Sequence, residues 1–126
     1  MLFNQIHHIA IICSNYDSAM DFYVNKLGFK VIANNYRKDK DDYKIDLQLG
    51  DSQIELFIVK NPPVRVSCPE ACGLRHLAFT VADVDATVKE LNLLGIETEP
   101  VRLDTFTHKK MTFFRDPDGL PLEIHE

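Results

Sequence analysis

One spacing relates two histidines and two glutamates, and these four residues are the candidates for chemistry in the chain. His76 follows His8 by 68 residues, and Glu123 follows Glu55 by the same 68. Imidazole nitrogens and carboxylate oxygens together form a mixed donor set that suits a borderline divalent metal ion. A lone histidine or glutamate in a strand is more often an ordinary core or surface residue. The repeat recovers all four residues at once and therefore predicts a metal site made of His8, Glu55, His76 and Glu123.

The predicted donor set also restricts the metal. It contains no thiolate, which disfavours Cu(I) and iron–sulfur clusters. Four protein ligands leave two open positions on a six-coordinate ion, and two substrate oxygens can occupy those positions. Nickel and zinc are the first expectations for one bound divalent ion, with cobalt, manganese or iron as alternatives.

The segments around these residues repeat as well, and they predict the elements that position the site. Residues 6–13 and 74–81 are rich in aliphatic residues and predict the first strand of each half. Asn15 and Asp83, again 68 residues apart, stand at helix N-cap positions. An apolar face at helical spacing follows each cap, and a glycine ends each helix. Each half therefore begins with a strand and a helix.

Three further strands complete each half, so each half is predicted to have the order β-α-β-β-β. Three prolines mark residues 60–73 as a linker. The chain is interpreted as one α+β domain, residues 1–126, with module 1 at 5–59 and module 2 at 74–126. Pro121 lies early in the last strand, where proline is tolerated at an edge. The further strands are predicted at 29–35, 44–49 and 53–59, and at 96–103, 109–114 and 120–125, with the strand at 96–103 bent or begun around Pro100.

Strand alternation indicates where the four candidates point. Ile9, Ile11 and Cys13 share one side of the first strand, and His8 lies on the other side. The aliphatic sides are expected to pack on the helices. A carboxylate inside a buried strand is costly unless it is paired or binds a metal. His7, next to His8, is predicted to face the helix side, and the repeat selects His8 as the ligand.

Composition and charge narrow the class of protein. The net charge is −5, from 14 basic and 19 acidic residues, which argues against a nucleic-acid partner. No apolar run approaches the ~20 residues of a membrane span, and the N-terminus does not resemble a signal peptide. Three cysteines cannot all pair within one chain, so we expect a cytoplasmic protein without a disulfide scaffold. The mixed-charge run at residues 37–42 predicts a solvated hairpin end.

The motifs resemble those of the vicinal oxygen chelate superfamily, and of its glyoxalase I-like proteins in particular. The resemblance covers the whole chain. It lies in the segments HHIAI, DSAMDFYVNKLGF, QIELF, GLRHLAFTV and RDPDGLPLEI. It implies two βαβββ modules that pair into a curved eight-stranded funnel around a metal. It also implies that His8, Glu55, His76 and Glu123 are the metal ligands.

A complete ligand set implies a lyase or isomerase, as in glyoxalase I. The implied substrate is the hemithioacetal that a small 2-oxoaldehyde such as methylglyoxal forms with a thiol, as in lactoylglutathione lyase. The implied reaction moves a proton between adjacent carbons through an enediolate. Glu123 is the first choice for the catalytic base, and Glu55 is its counterpart across the metal. The resemblance also implies a homodimer, and the site is expected either within one chain or across the dimer.

Other readings of the same residues stay open at this stage. A non-catalytic protein that sequesters a small molecule in the funnel would need no stoichiometric metal. An acyl-CoA epimerase would use the same proton abstraction, and a thiol transferase would use a related site. The Cys68–Cys72 spacing alone is a weak signal for a redox or metal pair.

Overall fold

A computed structural model describes all residues of the chain, Met1 to Glu126. The chain divides into two compact units, Met1–Pro63 and Val64–Glu126. Each unit contains a four-stranded mixed sheet and has the element order β-α-β-β-β. The predicted α+β class is therefore confirmed. None of the helices combines the length and apolar character needed to cross a membrane.

The helix of the first unit begins where the sequence predicts. Strand β1 is Ile9–Cys13, and α1 is Tyr16–Met20. Oδ1 of Asn15 accepts a hydrogen bond from the backbone N–H of Ser18 at 2.9 Å, as an N-cap residue should. The helix continues through a π-helical segment, Asp21–Lys26, and ends before Gly28, whose φ is +77°.

The first sheet places β1 beside the last strand of its unit. Strands β2, β3 and β4 are Lys30–Arg37, Asp42–Leu49 and Ser52–Ile58. The strand order is β1-β4-β3-β2, with β1 parallel to β4 and the other pairs antiparallel. The predicted aliphatic faces are buried: Ile11 and Cys13 in β1, and Ile54, Leu56 and Ile58 in β4.

The second unit repeats this topology. Strand β5 is Leu77–Thr80, and α2 is Val84–Leu93. Oδ1 of Asp83 caps α2 by accepting from the N–H of Ala86 at 2.9 Å. The strand order is β5-β8-β7-β6, and β5 runs parallel to β8. Strands β6, β7 and β8 are Arg102–Leu103, Lys110–Arg115 and Pro121–His125.

Two strands of the second unit differ in part from the prediction. The strand predicted at 96–103 is reduced to the two residues of β6 and an isolated bridge between Thr98 and Phe114. Pro100 lies between these pairings, and its missing N–H cannot extend the ladder. Pro121 does not mark an edge strand, because β8 lies between β5 and β7. Pro121 is the first residue of its strand, in agreement with its predicted place early in the strand, and the sheet tolerates proline at that position.

The charged hairpin end in the first unit is only partly solvated. Asp42 is 7% exposed and accepts two hydrogen bonds from the guanidinium of Arg37, at 2.7 and 2.6 Å. Lys60 forms an ion pair with Asp41 in the same turn. The hairpin is thus closed by paired charges. The mixed charges of residues 37–42 did not show in the sequence which residues would pair.

Candidate metal-binding site

The first His–Glu pair forms where β1 lies along β4. The parallel register sets Ala10 beside Glu55, and His8 lies two residues before Ala10 on the same side. Nε2 of His8 lies 2.5 Å from Oε2 of Glu55. Glu55 is only 8% exposed, whereas the His8 side chain is 41% exposed. A buried carboxylate on β4 is therefore paired with an accessible imidazole just before the start of β1.

Two charged residues of β3 complete the surroundings of Glu55. Nζ of Lys44 forms an ion pair with Oε1 of Glu55 and lies 2.8 Å from Oδ1 of Asp46. Asp46 is directly opposite Glu55 in the antiparallel ladder. Two hydrogen bonds raise the pKa of Lys44. The one to Asp46 has the larger effect, and the one to Glu55 has the second largest. Both oxygens of Glu55 are therefore engaged, one by His8 and the other by Lys44.

The second His–Glu pair has the same backbone placement with different neighbours. Ala78 is the parallel partner of Glu123, and Nε2 of His76 lies 2.8 Å from Oε2 of Glu123. Glu123 is 7% exposed. Phe113 stands opposite Glu123, and its ring meets the His76 ring edge to face at 5.0 Å between centroids. No lysine or arginine pairs with Glu123, and its Oε1 accepts no hydrogen bond within the unit.

Each unit thus brings together one histidine and one glutamate of the predicted four, and neither unit gathers a third metal-binding side chain around its pair. The donors fit a divalent ion of borderline character, because each pair brings one imidazole nitrogen and one carboxylate oxygen within 2.8 Å of each other. Both carboxylates are buried, and a bound cation would compensate the cost of burying their charge.

The sequence prediction missed the residues that touch these pairs. Nδ1 of His7 lies 2.9 Å from Nδ1 of His8, although His7 was expected on the other side of the strand. Nη1 of Arg75 lies 3.2 Å from Nδ1 of His76. Lys44 was also missed. Its period-two spacing from Asp46 shows that both lie on one side of β3, but the cross-strand register that brings them to Glu55 is seen only in the structure.

The three cysteines do not contribute to either pair. Cys13 is buried in β1, and Cys68 and Cys72 are exposed, with no disulfide in the chain. The weak CxxxC signal is therefore not joined by a histidine or carboxylate that would turn it into a metal site.

Comparison with known proteins agrees with this architecture. The family model described as Glyoxalase/Bleomycin resistance protein/Dioxygenase superfamily matches residues 5–124. "Uncharacterized protein YwkD" of Bacillus subtilis (strain 168) is 58% identical over 127 residues, covering 100% of this chain and 99% of that protein. A crystal structure of a glyoxalase family protein from Enterococcus faecalis is 57% identical, with a TM-score of 0.95 and full coverage of both chains.

A more distant structure shows how far the fold extends. The fosfomycin resistance protein FosX from Listeria monocytogenes has a TM-score of 0.76 at 18% identity, covering 98% of this chain and 93% of that chain. At that identity the likeness shows the fold alone. The match over residues 5–124 and the close relatives confirm the predicted resemblance to vicinal oxygen chelate proteins, and the chain belongs to the Glyoxalase/Bleomycin resistance protein/Dioxygenase superfamily.

Proposed function

We propose that His8, Glu55, His76 and Glu123 jointly hold one divalent metal ion and that the protein is a glyoxalase I-like lyase. The observation that carries the proposal is the pairing of each histidine with a buried glutamate at the same register in both units. The repeated strand order accounts for the register, and the recurrence of both residue types at that register supports a shared role. Nickel or zinc is the proposed ion, with cobalt, manganese or iron as alternatives.

The proposed substrate is the hemithioacetal of a small 2-oxoaldehyde, such as methylglyoxal, with a thiol. A divalent ion, when bound, supplies Lewis acidity that stabilises negative charge developing on two adjacent substrate oxygens. The protein's own task is then to move one proton between neighbouring carbons. That task needs a carboxylate that can release its other contacts during the reaction.

Glu123 is the proposed base, and the surroundings of the two glutamates support that choice. Lys44 and His8 occupy both oxygens of Glu55, whereas Glu123 has one polar partner, His76. Movement of Glu123 toward a substrate carbon therefore breaks one contact, while the same movement by Glu55 breaks two.

The assembly and location follow the same proposal. Members of the superfamily bind small molecules and often form dimers, and we propose a cytoplasmic homodimer. The four ligands would then meet either within one chain or across the two-fold axis of the dimer. Neither nucleic acid nor membrane is a proposed partner, in keeping with the net charge of −5.

Metal analysis followed by activity measurements tests the proposal. The purified protein should contain about one divalent ion per ligand set of two histidines and two glutamates, and His8→Ala and His76→Ala should each lose it. Turnover should then be measured with methylglyoxal hemithioacetals of several thiols. If the protein binds metal but turns over none of these hemithioacetals, the lyase proposal is wrong. Another superfamily enzyme, such as an acyl-CoA epimerase or a thiol transferase, would then be favoured. A metal-free wild-type protein that binds small molecules would favour the sequestering class instead.

A further inference from the structure

The two candidate histidines direct the same ring nitrogen to their glutamates. Nε2 of His8 and Nε2 of His76 are the atoms that face Glu55 and Glu123. A metal ion shared with those carboxylates would therefore bind at Nε2. A neutral imidazole that binds metal through Nε2 carries its proton on Nδ1, and that N–H needs a hydrogen-bond acceptor.

His7 offers such an acceptor to His8. The two Nδ1 atoms lie 2.9 Å apart, and the rings meet edge to face with 5.2 Å between centroids and 88° between planes. A neutral His7 with its proton on Nε2 has a lone pair on Nδ1. It can therefore accept from Nδ1–H of His8, and a metal ion bound at Nε2 of His8 would leave that hydrogen bond in place.

Arg75 holds the equivalent position in the second unit and has the opposite hydrogen-bonding character. Nη1 of Arg75 lies 3.2 Å from Nδ1 of His76. A guanidinium group donates and never accepts, so this contact favours His76 with a bare Nδ1 and the proton on Nε2. That proton then points at Glu123. The Arg75 contact must therefore open before Nε2 of His76 can bind a metal ion.

We infer that His7 is a positioning residue that keeps the proton of His8 on Nδ1 and the ring oriented for a metal ion at Nε2, whereas Arg75 does not do so for His76. This inference rests on the proposed metal site. Partners of this kind contribute about 10- to 100-fold to metal affinity in zinc proteins. The first pair should bind the ion with its ring already oriented, and the second pair should rearrange as it joins.

Three variants of the full-length protein test the inference at one fixed pH. His7→Phe keeps an aromatic ring and removes the acceptor, and it should weaken Zn(II) affinity about 10- to 100-fold in competition with a chromophoric chelator. His7→Asn restores an acceptor oxygen and should recover most of that loss. Arg75→Met is the matched control, and it should bind Zn(II) at least as tightly as wild type, because it removes only a competing donor.

A second measurement separates positioning from folding. Because His7 and His8 are both exposed, the metal-free His7→Phe protein should unfold at the wild-type urea midpoint. The visible spectrum of the Co(II) form should change in His7→Phe and return in His7→Asn. Wild-type affinity in His7→Phe, or equal losses in His7→Asn or Arg75→Met, would overturn the role of His7 and leave the metal site intact. Absence of Zn(II) binding by the wild-type protein would overturn the proposed function and this inference together.

Discussion

The two units agree in the strands that carry the His–Glu pairs and differ in the strands beside them. In both units the first strand runs parallel to the last, with an alanine beside the glutamate. The neighbouring strand places Asp46 and Lys44 on the face of Glu55. By register, the corresponding residues of the second unit are Phe113 and Met111 on the face of Glu123. The duplicated framework therefore supplies two similar His–Glu pairs, and the third strand of each unit gives them different surroundings.

The outer strands diverge even further. Strand β2 has eight residues and pairs along its length with β3, whereas β6 has two residues beside β7. The outer strands do not contribute to the His–Glu pairs, so their length can change without moving the four candidate ligands. This difference indicates that the paired inner strands are the part of the fold on which the proposed chemistry depends.

The largest expected effect comes from exchanging each glutamate for glutamine. Glu123→Gln should keep much of the bound metal and lower turnover about 10²- to 10⁴-fold, because the amide cannot accept the substrate proton. Glu55→Gln should mainly weaken metal binding and lower turnover much less once metal is saturating. Metal content and kcat for both variants, measured at saturating metal, check the prediction. Equal losses of kcat in the two variants would contradict the assignment of Glu123 as the base and of Glu55 as mainly a metal ligand.

Exchanging the neighbours of the two glutamates tests the same comparison from the other side. Lys44→Met gives Glu55 the side chain that the second unit has at the corresponding position. It should lower the free energy of unfolding of the metal-free protein by about 1 kcal/mol, because a partly buried charged hydrogen bond is lost. Added metal should reduce that difference, since a cation then neutralises Glu55. Urea unfolding with and without Zn(II) provides the measurement.

The reciprocal variant is Met111→Lys. An ammonium group beside Glu123 should occupy its second oxygen and lower turnover by about tenfold, because the base must break an additional contact. Wild-type turnover in this variant would show that the contrast between Lys44 and Met111 does not determine which glutamate acts as the base.

A smaller effect is expected at the helix N-caps, where the two units agree. Asn15 and Asp83 each accept a backbone hydrogen bond at 2.9 Å from the residue three positions later. Asn15→Ala and Asp83→Ala should each lower the free energy of unfolding by about 1 kcal/mol. Thermal and urea unfolding measure both, and Asp17→Ala, which removes no cap, serves as a control. A much larger loss at one cap would show that the helices are not equivalent in the two units.

The repeat predicted well those features that local rules determine. The caps at Asn15 and Asp83 and the inner strands follow from hydrogen-bonding chemistry and alternation, and one offset aligned both His–Glu pairs. The short β6 was missed because the effect of Pro100 depends on which strand lies beside it. The contacts of Lys44 and Arg75 were missed for a similar reason. A one-residue difference in cross-strand register, or a rotamer choice, decides which side chain reaches a given atom, and the sequence pattern does not specify either.

The smallest expected effect concerns acid stability and the hairpin of the first unit. The hydrogen bonds from the Arg37 guanidinium hold the pKa of Asp42 below its usual value. A carboxyl with a lowered folded-state pKa adds stability above its unfolded pKa of about 3.9, and that stability is lost as pH falls through the folded-state value. Arg37→Met should therefore lose less stability than wild type between about pH 6 and about pH 3.

The matched control for this prediction lies in the second unit. Arg102 and Glu99 form a looser pair, 3.7 Å apart, with both side chains about half exposed. Solvent screens such a pair, so Arg102→Met should leave the acid dependence of the unfolding free energy unchanged. Urea unfolding of both variants across the pH series compares them directly. A wild-type acid profile in Arg37→Met would mean that the closed hairpin does not distinguish the two units in solution.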